Sequence, residues 1–210
     1  MNLKYVLLAL LVIVIWSSNF IAIKIGVESI EPLVLLSLRF ILAGLLFLPF
    51  MKWPGWPQAR MMILVGILMG PLHQALLYVG LTYLPASLTS ILMQCSIIIT
   101  TIIGWLFLNE KVGWRTWLGI AIGIFGVGIL VGMPDEGKSE AGILIIFLSA
   151  LMVALAYIAQ KKVGHAHPPT YIALMFFPAA PFIVLSSFFI EGTQWMGNVA
   201  DLNWFVIGAV

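Results

Sequence analysis

An all-α polytopic membrane protein is the fold class this chain predicts, on three observations. Of its 210 residues 62% are hydrophobic and 9% charged, against roughly 45–50% apolar and about 25% charged in soluble domains. Seven apolar stretches follow one another, each close to the roughly 20 helical residues that cross a bilayer core. The charges between them alternate in sign. Lys4, Lys52, Arg60, Lys111, Arg115, Lys161 and Lys162 fall at the chain start and the even-numbered connections, with Glu110 the single acid among them. Glu28, Glu31, Asp135, Glu136, Glu140, Glu191 and Asp201 fall at the odd-numbered connections, with Lys138 the single base. Cytoplasmic loops retain Lys and Arg, so the pattern predicts a multi-pass protein of the cytoplasmic membrane with a cytoplasmic N-terminus.

The first span is expected over 5–26. Its apolar run is too long for the core of a secretory signal, and no small-residue cleavage site follows a short one. The second covers 33–51. The third, 61–82, contains Gly66, Gly70 and Pro71, and the turn Tyr83-Leu84-Pro85-Ala86-Ser87 leads into the fourth at 87–108. The fifth, 115–133, is glycine-rich, and Gly119-x-x-x-Gly123 and Gly128-x-x-x-Gly132 permit close backbone packing, within one half of the molecule or in a homodimer. A polar linker at 134–140 divides the chain. The sixth span is expected over 141–160 and the seventh over 169–190, with Pro178 and Pro181 inside it. An eighth starts near Asn203 and reaches Val210, about 12 Å of helix at 1.5 Å per residue, so further spans are expected beyond it. Continuous apolar runs point to helices, because barrel strands alternate over about 10 residues, and lipid-exposed backbone must satisfy its own hydrogen bonds. Trp53, Trp56, Trp114, Trp117, Trp195 and Trp204 lie near segment ends, as an interfacial aromatic belt requires.

Residues 15–26, IWSSNFIAIKIG, and 153–164, VALAYIAQKKVG, align at an offset that pairs Lys24 with Lys162 and Gly26 with Gly164. Five crossings separate the two stretches, so the units they open would sit in opposite orientations, as in inverted-repeat transporters. The expected domains are 1–133, a first five-helix unit, the extracytoplasmic linker 134–140, and 141–210, the start of a second, inverted unit.

Several function classes drop out. Net charge is +2, with no basic patch for nucleic acid. The lone Cys95 offers neither a disulfide nor a metal cluster, and neither cofactor nor bound metal is expected. No catalytic motif appears, and no ATP-binding loop. An integral membrane enzyme acting on a lipid is the rival reading, resting only on the acids at 135, 136 and 140.

Polar groups inside the spans are the candidates for substrate contact. Arg39 lies about seven residues into the second span, where an Arg costs roughly 2.5–3.5 kcal/mol near midspan. It either snorkels to the headgroups or lines a cavity where it pairs with a substrate carboxylate. Lys24 sits at the outer end of the first span, and snorkelling explains it. Trp16 and Asn19 form a polar patch near its middle. His73 and Gln74 follow Pro71, with Tyr78 one turn on, and the simplest role for His73 is to bond a carbonyl freed by Pro71. Gln94 and Tyr157 are further lining candidates or interhelical glue.

Trp16-Ser17-Ser18-Asn19-Phe20 with Lys24, Pro32 and Arg39 resembles the opening of an EamA-type transporter of the drug/metabolite transporter superfamily. The stretch from Leu81 is similar to the same family, with its core at Leu108-Asn109-Glu110-Lys111, Trp117-Leu118-Gly119 and glycines 123, 126 and 128. The resemblance implies ten spans in two inverted five-helix halves, about seven and a half of them here, around a central cavity that passes small metabolites by alternating access. It favours the cavity for Trp16 and Asn19, and offers Lys24 as a cation at its mouth. The expected function is secondary transport, in the export direction, of a small metabolite of the amino-acid-like class, with the substrate and the bilayer as partners. The chain departs from the family at one point. Members commonly carry a proline about 13 residues before the Glu, where this sequence reads Cys95-Ser96-Ile97, so the resemblance does not carry kink-dependent gating over to that point. The related small multidrug resistance proteins depend on a glutamate in the first helix, and this chain has no acid there.

Overall fold

The computed structural model describes residues 3–132 and 139–192, and every regular element among them is helical. Helix α1 covers Leu3–Ser29 and α2 Pro32–Phe47, extended by a 3₁₀ turn at Leu48–Phe50. Helix α3, Trp56–Ile67, runs through a π segment, Leu68–Gln74, into α4, Ala75–Tyr83. Helices α5, Ala86–Met93, and α6, Cys95–Leu108, form the next span, followed by α7, Trp114–Gly132, and α8, Glu140–Lys161. Helices α9, Pro168–Phe176, and α10, Ala180–Ile190, complete the described chain. Among the described residues six spans are long and apolar enough to cross a membrane, with the shorter apolar helix Trp114–Ile129 beside them. The eighth apolar segment and most of the linker, with Asp135, Glu136, Lys138, Trp195, Asp201, Asn203 and Trp204, lie outside the described residues.

Two spans change their helical hydrogen bonding where prolines remove backbone donors. Pro71 has no N–H, and the Ala75 N–H reaches Gly70 O, five residues back, the wider turn by which a helix absorbs an extra residue. The seventh span breaks at Phe177–Ala179, between prolines 178 and 181. The fourth breaks at Gln94 with no proline present: Gln94 N–H donates to Ile91 O and Ile97 N–H to Gln94 O, both at 3.0 Å. Helical hydrogen bonding is thus interrupted there by one tight turn, without a proline.

Helix α8 is the hub, packed against α3, the π segment, α4, α5 and α6. Glycines let it approach α4 from both sides. A Cβ on Gly80 would fall 2.3 Å from Ile146 Cδ1, and one on Gly142 would fall 2.8 Å from Tyr83 Cβ. The main core joins Phe40, Tyr78, Leu81, Ile146 and Ile183, all fully buried. A smaller cluster holds Ala59, Met62, Val65, Val163 and Leu174. On α7 a Cβ at Gly119, Gly126, Gly128 or Gly132 would meet nothing within 4 Å among the described residues, and one at Gly123 would lie 3.4 Å from Ile98 Cδ1. Closer helix contacts are made at Gly44, Gly66, Gly70, Gly80 and Gly142.

Polar links between distant connections sort them into two ends of the bundle. At one end Thr170 Oγ1 accepts from Lys52 N (2.8 Å) and donates to Lys52 O (3.0 Å), and Gln58 Nε2 donates to Val163 O and His165 O. Lys161 pairs with Glu110 there. At the other end Lys24 reaches Leu81 O, and Glu191 reaches the first turn of α2. The links at the first end join connections that carry Lys and Arg, and the Glu191 link joins two acidic connections, so the bundle has a basic end and an acidic end.

Candidate functional site

Arg39 and its partners follow from the bent third span. A Cβ on Gly70 would fall 2.5 Å from the Phe40 ring, so the glycine lets α2 press its aromatic side chain against the π segment. Arg39, one residue earlier, then meets the next turns of the third span. Its Nη1 donates to Tyr78 Oη at 3.1 Å and, at the outer limit of a hydrogen bond, to Gln74 Oε1 at 3.5 Å. Tyr78 is fully buried and Arg39 half-buried. Both partners are neutral, and no carboxylate lies within ion-pair distance of Arg39 among the described residues. A guanidinium carries five donors in a planar fork, so this cation can still take a carboxylate bidentately.

His73 is buried on another face of the same segment, and its bond is not to a carbonyl freed by Pro71. Its Nδ1 lies 2.8 Å from Ser149 Oγ and 3.1 Å from Ser149 O, while Ser149 Oγ donates to His73 O at 2.9 Å. The serine spends its proton on a carbonyl, so the network assigns the imidazole proton to Nδ1. The pair pins α8 to the π segment.

Lys24 is committed as well. Leu81 O would accept from residue 85 in a continuing helix, but Pro85 has no N–H. Lys24 Nζ fills that place at 2.7 Å and lies 3.8 Å from Glu28, which ties α1 to the end of α4.

The remaining candidates do not join Arg39. Trp16 is 67% exposed on α1, of whose apolar window only 6% is buried. Asn19 is half-buried one turn on, and Gln94 is exposed at the break between α5 and α6. Tyr157 lines a separate cavity with Glu110 and Lys161 near the basic end. Among the described residues no group of His, Cys, Asp and Glu could hold a metal ion.

Sequence reasoning passed over Ser149, Glu191 and the Glu110–Lys161 pair. A serine in an apolar helix and an acid at a span end carry no distinguishing signal. Glu110 did carry one, as the single acid in a basic layer.

The family described as the EamA-like transporter family matches residues 3–132. A probable amino-acid metabolite efflux pump of Escherichia coli is 30% identical over 204 residues, covering 93% of this chain and 68% of the relative. The protein of the same description in Salmonella typhimurium is 30% identical over 195 residues, 89% of this chain and 64% of the relative. An uncharacterized transporter of Bacillus subtilis is 29% identical over 209 residues, 94% and 65%. The chain thus spans about two thirds of the length of these relatives. Family and relatives are transporters, not enzymes, and the apolar helices make this a multi-pass membrane protein. The chain belongs to the EamA-like transporter family.

Proposed function

We propose that this protein acts as a secondary transporter that exports a small, carboxylate-bearing, amino-acid-like metabolite across the cytoplasmic membrane by alternating access. Arg39 carries the reading: a cation held inside a span by two neutral side chains, Gln74 and Tyr78, with donors left over. Intramembrane ionisable groups line substrate or ion pathways, and a carboxylate would give this one the opposite charge it lacks. The relatives named as efflux pumps for amino-acid metabolites support the direction and the class. The basic end, which holds Lys52, Lys111, Lys161 and Lys162, is cytoplasmic in this reading, and the N-terminus with it.

The functional unit pairs residues 1–133 with an inverted unit that begins at 141, on either side of the linker 134–140. Trp16, Asn19 and Gln94 from the first unit and Tyr157 from the second are the further side chains offered to the path. Lys24 and His73 hold helices in register around the path.

The test expresses the complete reading frame in cells, as parent or Arg39→Ala at matched membrane abundance, and follows medium and cytosol by untargeted mass spectrometry. The parent moves a small set of carboxylate-bearing metabolites into the medium and the variant does not. Redistribution identical in both would remove Arg39 from the pathway. Redistribution confined to compounds without a carboxylate would overturn the substrate class.

A further inference from the structure

Glu110, the one acid in the basic connections, stands against a cavity of about 270 Å³ between α6 and α8. Its walls are Ile97, Thr100, Thr101, Glu110, Tyr157 and Lys161. The backbone places the acid there. Asn109 ends α6 in the left-handed region, at φ 52°, and Glu110 N–H returns to Gly104 O at 3.2 Å. A Cβ on Gly104 would fall 2.8 Å from Glu110 Oε2, so the carboxylate lies along α6 beside this glycine. Across from it Lys161 Nζ meets Glu110 Oε1 at 2.5 Å, and both side chains are close to half exposed.

The cavity lining also holds three hydroxyls. Thr100 and Thr101 donate to Ser96 O and Ile97 O, which leaves their oxygens as acceptors. The Tyr157 hydroxyl bonds no other group among the described residues and stays available as a donor. Ile97 and the Tyr157 ring supply apolar wall.

This set is neutral in sum but carries both signs side by side. A ligand with one charge would pair one side chain and leave the other with only water as its partner. A compact zwitterion pairs both. The exchange is inexpensive on the protein side, because half-exposed ion pairs contribute only about 0–1 kcal/mol. The volume falls just below the roughly 300–1,000 Å³ of drug-sized pockets and fits a single metabolite.

We propose that this cavity is a binding station for a zwitterionic amino acid with an aliphatic side chain, its carboxylate on Lys161 and its ammonium on Glu110. The proposal rests on the transporter reading and deepens it, adding a station at the end opposite Arg39. The ammonium takes its second acceptor from Thr100 or Thr101, the carboxylate its second donor from Tyr157, and the side chain lies on Ile97.

The test measures equilibrium binding of tritiated L-leucine to the complete protein in nanodiscs, competed by isocaproate, which lacks the ammonium, and isoamylamine, which lacks the carboxylate. The parent binds leucine saturably and prefers it to both analogues. Glu110→Gln weakens leucine about tenfold, the effect of a lost charge-assisted contact, and erases the preference over isocaproate. Lys161→Met weakens it similarly and erases the preference over isoamylamine. Tyr157→Phe leaves the ion pair in place and weakens leucine about tenfold, in line with one hydrogen bond to a charged group. A purely structural ion pair would lower thermal stability in both charge variants without altering the ranking of the three ligands. That result, or a parent that binds no leucine, overturns the proposal. If Arg39-dependent export persisted in that case, the station alone would fall, whereas loss of both would sink the transporter reading too.

Discussion

Glu191, at the end of α10, accepts hydrogen bonds from the backbone N–H groups of Leu33 (2.7 Å) and Val34 (3.2 Å), more than 150 residues earlier at the start of α2. A helix opens with unsatisfied donors and a positive dipole end, and α2 has no side-chain cap of its own at Glu31. The carboxylate from the seventh span supplies it, steadied by Ser187 Oγ at 2.9 Å. Replacing Glu191 with Ala removes a cap worth about 1 kcal/mol and is expected to lower the Tm of the complete protein in nanodiscs by a few degrees.

The same carboxyl sets a pH dependence. Burial pushes it up from its ordinary value of 4.5, the hydrogen bonds from Leu33, Ser187 and Val34 pull it down, and neighbouring Glu31 pushes it up again. The net rise means that the folded state holds its proton more tightly than the unfolded one. The contribution is full below pH 4.5 and is lost as pH climbs through the raised value. Glu191→Gln cannot titrate, so the Tm advantage of the parent over this variant shrinks as pH rises from 4.5. An advantage that grew with pH would refute the assignment.

Gly66 and Gly126 look alike in sequence and differ in space. A Cβ at Gly66 would lie 2.2 Å from Met175 O, a backbone atom, whereas Gly126 has nothing within 4 Å. Gly66→Ala must push α3 and α9 apart at a cost of about 1–3 kcal/mol, and Gly126→Ala is expected to be near neutral. Thermal unfolding of the two variants side by side decides it.

Tyr78→Phe leaves the aromatic body in the core and removes the one close partner of Arg39. A hydrogen bond to a charged group is worth about 1.5–3 kcal/mol, here reduced by the second partner, Gln74. The freed guanidinium positions substrate less well, and KM for the exported compound rises roughly three- to tenfold at unchanged membrane abundance. An unchanged KM would mean that Tyr78 does not position Arg39 for substrate.

Ser149→Ala breaks the reciprocal link with His73. His73 Nδ1 keeps the Ser149 carbonyl, while His73 O loses its donor. Interhelical hydrogen bonds in membranes average about 0.6 kcal/mol and reach about 1.7; a buried and doubly bonded pair belongs at the upper end. The variant is expected to unfold at lower temperature while its KM stays at the parental value.

The spans were legible because composition and length are sufficient signals in a bilayer. The second, expected over 33–51, is Pro32–Phe50, and the sixth, expected over 141–160, is Glu140–Lys161. The third begins earlier than expected, at Trp56 rather than 61, because Gln58 and Arg60 in its first turn hide it from an apolar criterion. The break at Gln94 had no marker, since neither proline nor glycine stands there. At the site, Arg39, Gln74 and Tyr78 were readable as polar residues in lipid surroundings, and Lys24 beside a proline-freed carbonyl was not.

By itself the sequence determined that the chain is helical, where it crosses, which connections share an end, and which family it resembles. Those properties are local: they follow from transfer of residues between water and lipid, and from charge counted loop by loop. Only the tertiary structure decided which polar groups meet. Arg39 with Tyr78, His73 with Ser149, Glu110 with Lys161 and Glu191 with Leu33 lie 39, 76, 51 and 158 residues apart. Such pairings depend on helix bends, on glycines that set the distance between axes, and on the rotation of each helix about its own axis, none of which periodicity in an almost uniformly apolar span records.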